Sequence, residues 1–210
     1  MGYIAVVDYD VGNLMSVNNA MHYLGFETKV TAEPEELERA DAMILPGVGA
    51  FPDAAEKLVR SGMLQALRRQ AQQKPILGIC LGMQLLFDTG VEVRETDGLA
   101  LVPGRVERIE TNLKLPHIGW NSLHFPNPSP LFAGLGEGCY VYFVHSFCGN
   151  TADPKYVIAS TDYGTQVTAA VQNGTVFGTQ FHPEKSGEIG MQILRNFGGL
   201  TRCSLNLPLI

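Results

Sequence analysis

Cys80 stands between glycines in Gly78-Ile79-Cys80-Leu81-Gly82, directly after the apolar run Ile76 to Ile79. The residues that follow, Gln84-Leu85-Leu86-Phe87, read as a helix. Strand, sharp turn, helix is the setting of a nucleophile elbow, here with Cys where many hydrolases carry Ser. The turn requires small flanking residues, because side chains there would collide with neighbouring backbone. A cysteine at a helix start also faces free N–H groups and the positive end of the helix dipole, which favour a thiolate.

Two further segments complement this one. In Phe181-His182-Pro183-Glu184, after the apolar run from Val176, an extended backbone puts residues i and i+2 on one side. His182 and Glu184 can then act together, the carboxylate fixing the ring tautomer and stabilising the imidazolium. Leu45-Pro46-Gly47-Val48-Gly49 ends another apolar run. Open α/β sheets bind ligands at the carboxyl ends of strands, so the Val48 and Leu81 amides are candidates for an oxyanion hole. Singly, these motifs suit a structural cysteine, a structural His–Glu pair and an ordinary turn. Together they supply nucleophile, base, orienting acid and anion donors.

Strands and helices alternate through the first half. Strands are expected at Tyr3 to Asp8, Phe26 to Val30, Ala42 to Leu45 and Ile76 to Ile79. A helix runs from Leu14 through Val17, Met21 and Leu24 to a stop at Gly25. Another covers Ala54 to Ala71 with a break at Ser61-Gly62. Continuously apolar strands separated by helices imply a mostly parallel sheet with helices on both faces. After about residue 90 short β-rich runs dominate: 101–109, 140–147, 156–160, 166–171 and 176–181. Asn173-Gly174 marks a hairpin between the last two. A helix at Gly190 to Phe197 follows. The expected architecture is one α/β domain over residues 1–210, an open, mostly parallel sheet with an antiparallel β appendage.

Composition narrows the function classes. With 45% apolar and 17% charged residues in a 210-residue chain, a sizeable core is available. A net charge of -6 argues against a nucleic-acid binder. No apolar stretch reaches the roughly 18 residues of a membrane helix, and the N-terminus lacks the basic start of a signal peptide. The four cysteines, at 80, 139, 148 and 203, form no Cys-x-x-Cys pair, so neither a zinc site nor a dithiol motif is expected. The expected location is cytoplasmic, with no metal, cofactor or membrane contact.

Gly-Ile-Cys-Leu-Gly-Met-Gln at 78–84, His-Pro-Glu at 182–184 and Pro-Gly-Val-Gly at 46–49 resemble the class I, triad-type glutamine amidotransferases over nearly the whole chain. Asp8 to Leu14, Leu115 to Asn121, Tyr142 to Ser146 and His182 to Ser186 are similar to one branch of that family. Its members are the glutaminase subunits of imidazole glycerol phosphate synthases. The resemblance implies glutamine hydrolysis by Cys80, His182 and Glu184, with ammonia passed to a (β/α)8-barrel cyclase subunit in a heterodimer. It places Gly49, Gln84, His145, Ser146 and Phe147 around the substrate. It sets Asn13, Trp120, Asn121 and Lys185 toward the cyclase; Trp120, the only tryptophan, is expected as an exposed anchor in a Gly-Trp-Asn turn. A paralogous synthase serving a surface-sugar or other amination pathway would share the catalytic motifs, and a binding module without catalysis would keep the fold; the intact triad argues against the latter. The chain departs from the branch pattern at Phe147-Cys148, where a second hydroxyl-bearing aromatic is usual, and in the tail after Gly199. Flanked by glycines, the Val48 peptide can turn over at low steric cost, which makes it the expected point at which a partner controls activity.

Overall fold

Three apolar runs of the first half become short buried strands, and the one expected at Phe26 to Val30 becomes a half-exposed edge strand at Thr28–Thr31, in a computed structural model that describes residues 2–201. Cys203 and the rest of the tail from residue 202 onward lie outside the described residues. In chain order the strands and α-helices are β1 (Ile4–Val7), α1 (Leu14–Tyr23), β2 (Thr28–Thr31), α2 (Pro34–Arg39), β3 (Ala42–Leu45), α3 (Phe51–Arg60) and α4 (Met63–Gln70). Then come β4 (Ile76–Ile79), α5 (Leu81–Gln84), β5 (Phe87–Gly90), β6 (Thr96–Asp97), β7 (Val102–Arg108), β8 (His117–Ser122) and β9 (Tyr140–His145). The last are β10 (Phe147–Asn150), β11 (Val157–Asp162), β12 (Gln166–Asn173), β13 (Val176–Thr179) and α6 (Gly187–Gly199).

The central sheet has seven strands in the order β11-β12-β13-β4-β3-β1-β2. From β13 to β2 every pairing is parallel; β11 and β12 continue the sheet antiparallel. Alternation across the strands separates two cores. Ala5, Val7, Met43, Leu45 and Ile76 pack with Leu37, Leu58 and Leu67 of α2, α3 and α4. Ile4, Ala42, Ile44, Leu77 and Ile79 pack with Val17 and Met21 of α1 and Ile193, Leu194 and Phe197 of α6.

Local punctuation behaves as expected at three places. Gly25 closes α1 with φ +85° and donates to the His22 carbonyl at 2.9 Å. Gly62, at φ +74°, separates α3 from α4. Gly174, at φ +59°, turns the β12–β13 hairpin, with Asn173 paired to Val176.

The second half differs from the sequence reading in its boundaries. The helix expected through Phe87 stops at Gln84, because the Leu86 carbonyl accepts from Leu101 and Val102 and Phe87 pairs with β7. The run 140–147 divides at Ser146, since β9 pairs with β8 and β10 with β7 in a different sheet. Trp120 lies within strand β8 rather than in a turn, directly opposite Tyr142. The β-rich half is thus distributed among the central sheet's antiparallel edge, the four-stranded sheet β10-β7-β5-β6 and the pair β8-β9.

Candidate active site

Four neighbouring parallel strands deliver the site from their carboxyl ends. β4 leads to Cys80, β13 to His182, β3 to Val48 and β1 to Asn13. Cys80 has φ 56° and ψ -112°, a strained conformation for a residue with a side chain. The glycines explain how the turn closes. A Cβ on Gly78 would lie 2.6 Å from the Gly82 carbonyl oxygen, and one on Gly82 would run into the Leu45 carbonyl oxygen.

His182 and Glu184 do meet, Nδ1 to Oε1 at 2.7 Å with both side chains essentially buried, but through a 3-10 turn over Pro183–Lys185 rather than the extended backbone expected, because Pro183 starts that turn directly after His182. Asn13 Nδ2 donates to the same carboxylate oxygen at 2.5 Å. Burial alone would lower the His182 pKa, but interaction with the Cys80 sulfur and Glu184 carboxylate outweighs it and raises the value to about 9. For Glu184 burial pushes up, and hydrogen bonds from His182 and Asn13 with the His182 charge bring the net value below the ordinary carboxylate range. His182 Nε2 and Glu184 Oε2 are buried and have no hydrogen-bond partner. Buried orphans are rare in folded proteins; with the ring pKa raised by the Cys80 sulfur and Glu184, Nε2 holds a proton near neutral pH at the position from which a general acid delivers one and takes it back.

Cys80, His182, Val48, Gly49, Leu81, Gln84, His145, Ser146 and Phe147 line one cavity of about 310 Å³, a size suited to a small ligand. The residues expected at the oxyanion and at the substrate thus share the cavity with Cys80 and His182, and Glu184 stands behind His182, outside the lining. Gly49 has φ +106°, and a Cβ on Gly47 would press on the Tyr9 hydroxyl at 2.5 Å, so each glycine beside Val48 has its own physical reason. The Gln84 amide nitrogen is already engaged by the Phe147 carbonyl and Gln180 Oε1, both at 3.0 Å, which leaves its oxygen for a ligand. His145 is held neutral, its pKa lowered by burial to about 4.

The four residues expected toward a partner separate. Trp120 is 53% exposed and sits edge-on to Tyr142, and Lys185 is exposed. The Asn13 side chain turns inward to Glu184. That of Asn121 bridges His117 Nε2 at 2.8 Å and the Asp162 carbonyl at 3.0 Å. Among the residues that sequence reasoning missed at the site are two with polar side chains. Glu92 lines the cavity while accepting the Phe51 N–H at 2.8 Å. Gln180 follows the end of β13, where the chain bends at residues 180 and 181, so spacing alone carried no signal for it.

Fold and site define a class: an open α/β protein with a cysteine on an elbow-like turn and a His–Glu pair after the adjacent strand. Residues 5–199 match the family model for class I glutamine amidotransferases, and the chain belongs to that family. Among curated relatives it is 45% identical over 201 residues to imidazole glycerol phosphate synthase subunit HisH of Caldanaerobacter subterraneus, covering 95% of this chain and 99% of that one. It is 49% identical over 198 residues to the subunit of the same name from Bacillus cereus, covering 94% of each. The fold is shared with a solved glutamine amidotransferase at TM-score 0.74 and 21% identity, covering 94% of this chain and 100% of that one. It is also shared with PurLQS from Thermotoga maritima at TM-score 0.71 and 22% identity, covering 93% and 97%.

Proposed function

We propose that the chain is the glutaminase subunit of an imidazole glycerol phosphate synthase, working in histidine biosynthesis. The carrying observation is the oriented triad, Cys80 beside a His182 whose Nδ1 is held by Glu184, in a cavity open to a small amide. The names of the relatives supply the synthase.

The cysteine proton passes to His182 Nε2 and the sulfur attacks the side-chain amide carbon of glutamine. The oxyanion is met by the Val48 and Leu81 amides. His182 returns the proton to the leaving nitrogen, releasing ammonia and a glutamyl thioester on Cys80. His182 then takes a proton from water, the resulting hydroxide attacks the thioester carbon, and the proton returns to the departing sulfur, giving glutamate and free Cys80. Glu184, steadied by Asn13, keeps Nδ1 protonated throughout. Gln84 Oε1 and the Glu92 carboxylate suit the substrate ammonium group.

Ammonia is consumed by a cyclase subunit with a (β/α)8-barrel, bound as a heterodimer partner. The exposed Trp120, edge-on to the half-buried Tyr142, supports a docking face here. The Ser186 hydroxyl donates to the His182 carbonyl at 2.7 Å and accepts the Tyr142 N–H at 3.0 Å, so this face is tied to the triad turn. Among the described residues no helix is long and apolar enough to cross a membrane, and a cytoplasmic location is part of the proposal. The test is glutamine-dependent glutamate release with and without a barrel cyclase. Release that ignores glutamine, or a cyclase that neither binds nor stimulates, would refute it.

A further inference from the structure

We propose that Gln180 is a further catalytic residue, whose side-chain amide donates a hydrogen bond to the Cys80 sulfur and favours the thiolate that attacks the substrate. The Gln180 side chain is fully buried just beyond β13, and its backbone N–H is held by the Ala169 carbonyl at 2.8 Å. Nε2 lies 3.8 Å from Cys80 Sγ.

A chain of hydrogen bonds decides which end of this amide faces the sulfur. The Phe147 carbonyl can only accept, so the group 3.0 Å from it is the Gln84 NH2. The same NH2 reaches Gln180 at 3.0 Å and requires an oxygen there. The Gln180 NH2 is thereby turned toward Cys80. Besides the His182 ring, the sulfur faces the Val144 carbonyl at 3.9 Å, which can take a hydrogen bond from a thiol but offers nothing to a thiolate. Gln180 does the reverse. Its interaction therefore strengthens when the proton leaves for His182, and a buried site magnifies that difference. Gln84 acts through Gln180 as a positioning residue, in addition to any contact with substrate.

This inference rests on Cys80 being the nucleophile. It is tested in the purified chain by the rate at which iodoacetamide alkylates Cys80 across pH, read on the Cys80 peptide by mass spectrometry. Gln180→Glu keeps the shape and the oxygen facing Gln84 but presents a carboxylate oxygen to the sulfur. Gln180→Met removes the donor and retains bulk. Both should slow alkylation near neutral pH by about tenfold or more, the scale of a hydrogen bond to a charged group, and move the profile to higher pH. Glutaminase kcat should fall with little change in KM. Gln84→Glu should move the profile the same way without touching the sulfur, because Gln180 must then turn its NH2 to residue 84. Folded variants, judged by thermal unfolding, that alkylate like the wild type would overturn the proposal, whatever their turnover. If Gln180→Glu does not fold, the Met and Gln84 variants decide. Retained glutaminase activity in Cys80→Ala would instead remove the nucleophile itself; its loss beside unchanged profiles removes only the role of Gln180.

Discussion

His182 holds its proton more tightly than an ordinary histidine, with the pKa raised from 6.5 to about 9. A raised folded-state value means that its contribution to stability is fully present below about 6.5 and fades as pH rises through about 9. Ring titration by NMR should show that upward shift, and Glu184→Gln should move the midpoint down, since burial then acts with less opposition. A midpoint unchanged by the substitution would contradict the role of the carboxylate. In turnover, His182→Ala should cost roughly 100- to 10,000-fold and Glu184→Gln less, as steady-state kinetics would show. The closeness of His182 and Glu184 was readable from their spacing, but the expected geometry was not: Pro183 opens a 3-10 turn over Pro183–Lys185, and that turn, not an extended strand, folds the carboxylate back onto the ring. Asn13 was not readable as the third member. Its contact spans 171 residues and depends on where the fold sets β1 relative to β13, with β4 and β3 between them.

Strand ends and turns explain why the motifs converge. Parallel strands β1, β3, β4 and β13 end on one side of the sheet, so loops far apart in sequence become neighbours. Apolar runs and glycines marked those strands correctly. The short helix α5 was over-extended because tertiary pairing of Phe87 overrode an apolar pattern that suits either state. α2 went unread despite Pro34 at its start and Glu35 and Glu36 in its first turn, signals that a six-residue element leaves faint. The elbow predicts a stability effect: Gly82→Ala should lower stability by about 1–3 kcal/mol or more, the usual scale of overpacking, measured by denaturant unfolding. A wild-type midpoint would mean that the Leu45 carbonyl yields easily. For the β8–β9 pair, Trp120→Ala should weaken cyclase binding by about 2 kcal/mol. Calorimetry giving unchanged affinity would remove Trp120 from the docking face.

For the whole molecule, activity is expected to depend on assembly. An unpartnered glutaminase would release ammonia to solvent, and the glycine-flanked Val48 peptide is where a partner can act. If one oxyanion donor is absent in the free subunit, the deficit is about 2.7–4 kcal/mol, or roughly 100- to 1,000-fold. Adding cyclase should then raise kcat far more than it changes KM. Full turnover by the free subunit would refute the switch. Everything proposed for the synthase depends on Cys80 carrying the glutamyl group. The decisive measurement is to acid-quench the working synthase during glutamine turnover and map the acyl group by mass spectrometry. A glutamyl thioester on Cys80 is expected in the wild type. Neither adduct nor glutamate release is expected in Cys80→Ala, whose complex still makes product from supplied ammonia. Glutamate release that persists in Cys80→Ala would contradict a cysteine-borne intermediate.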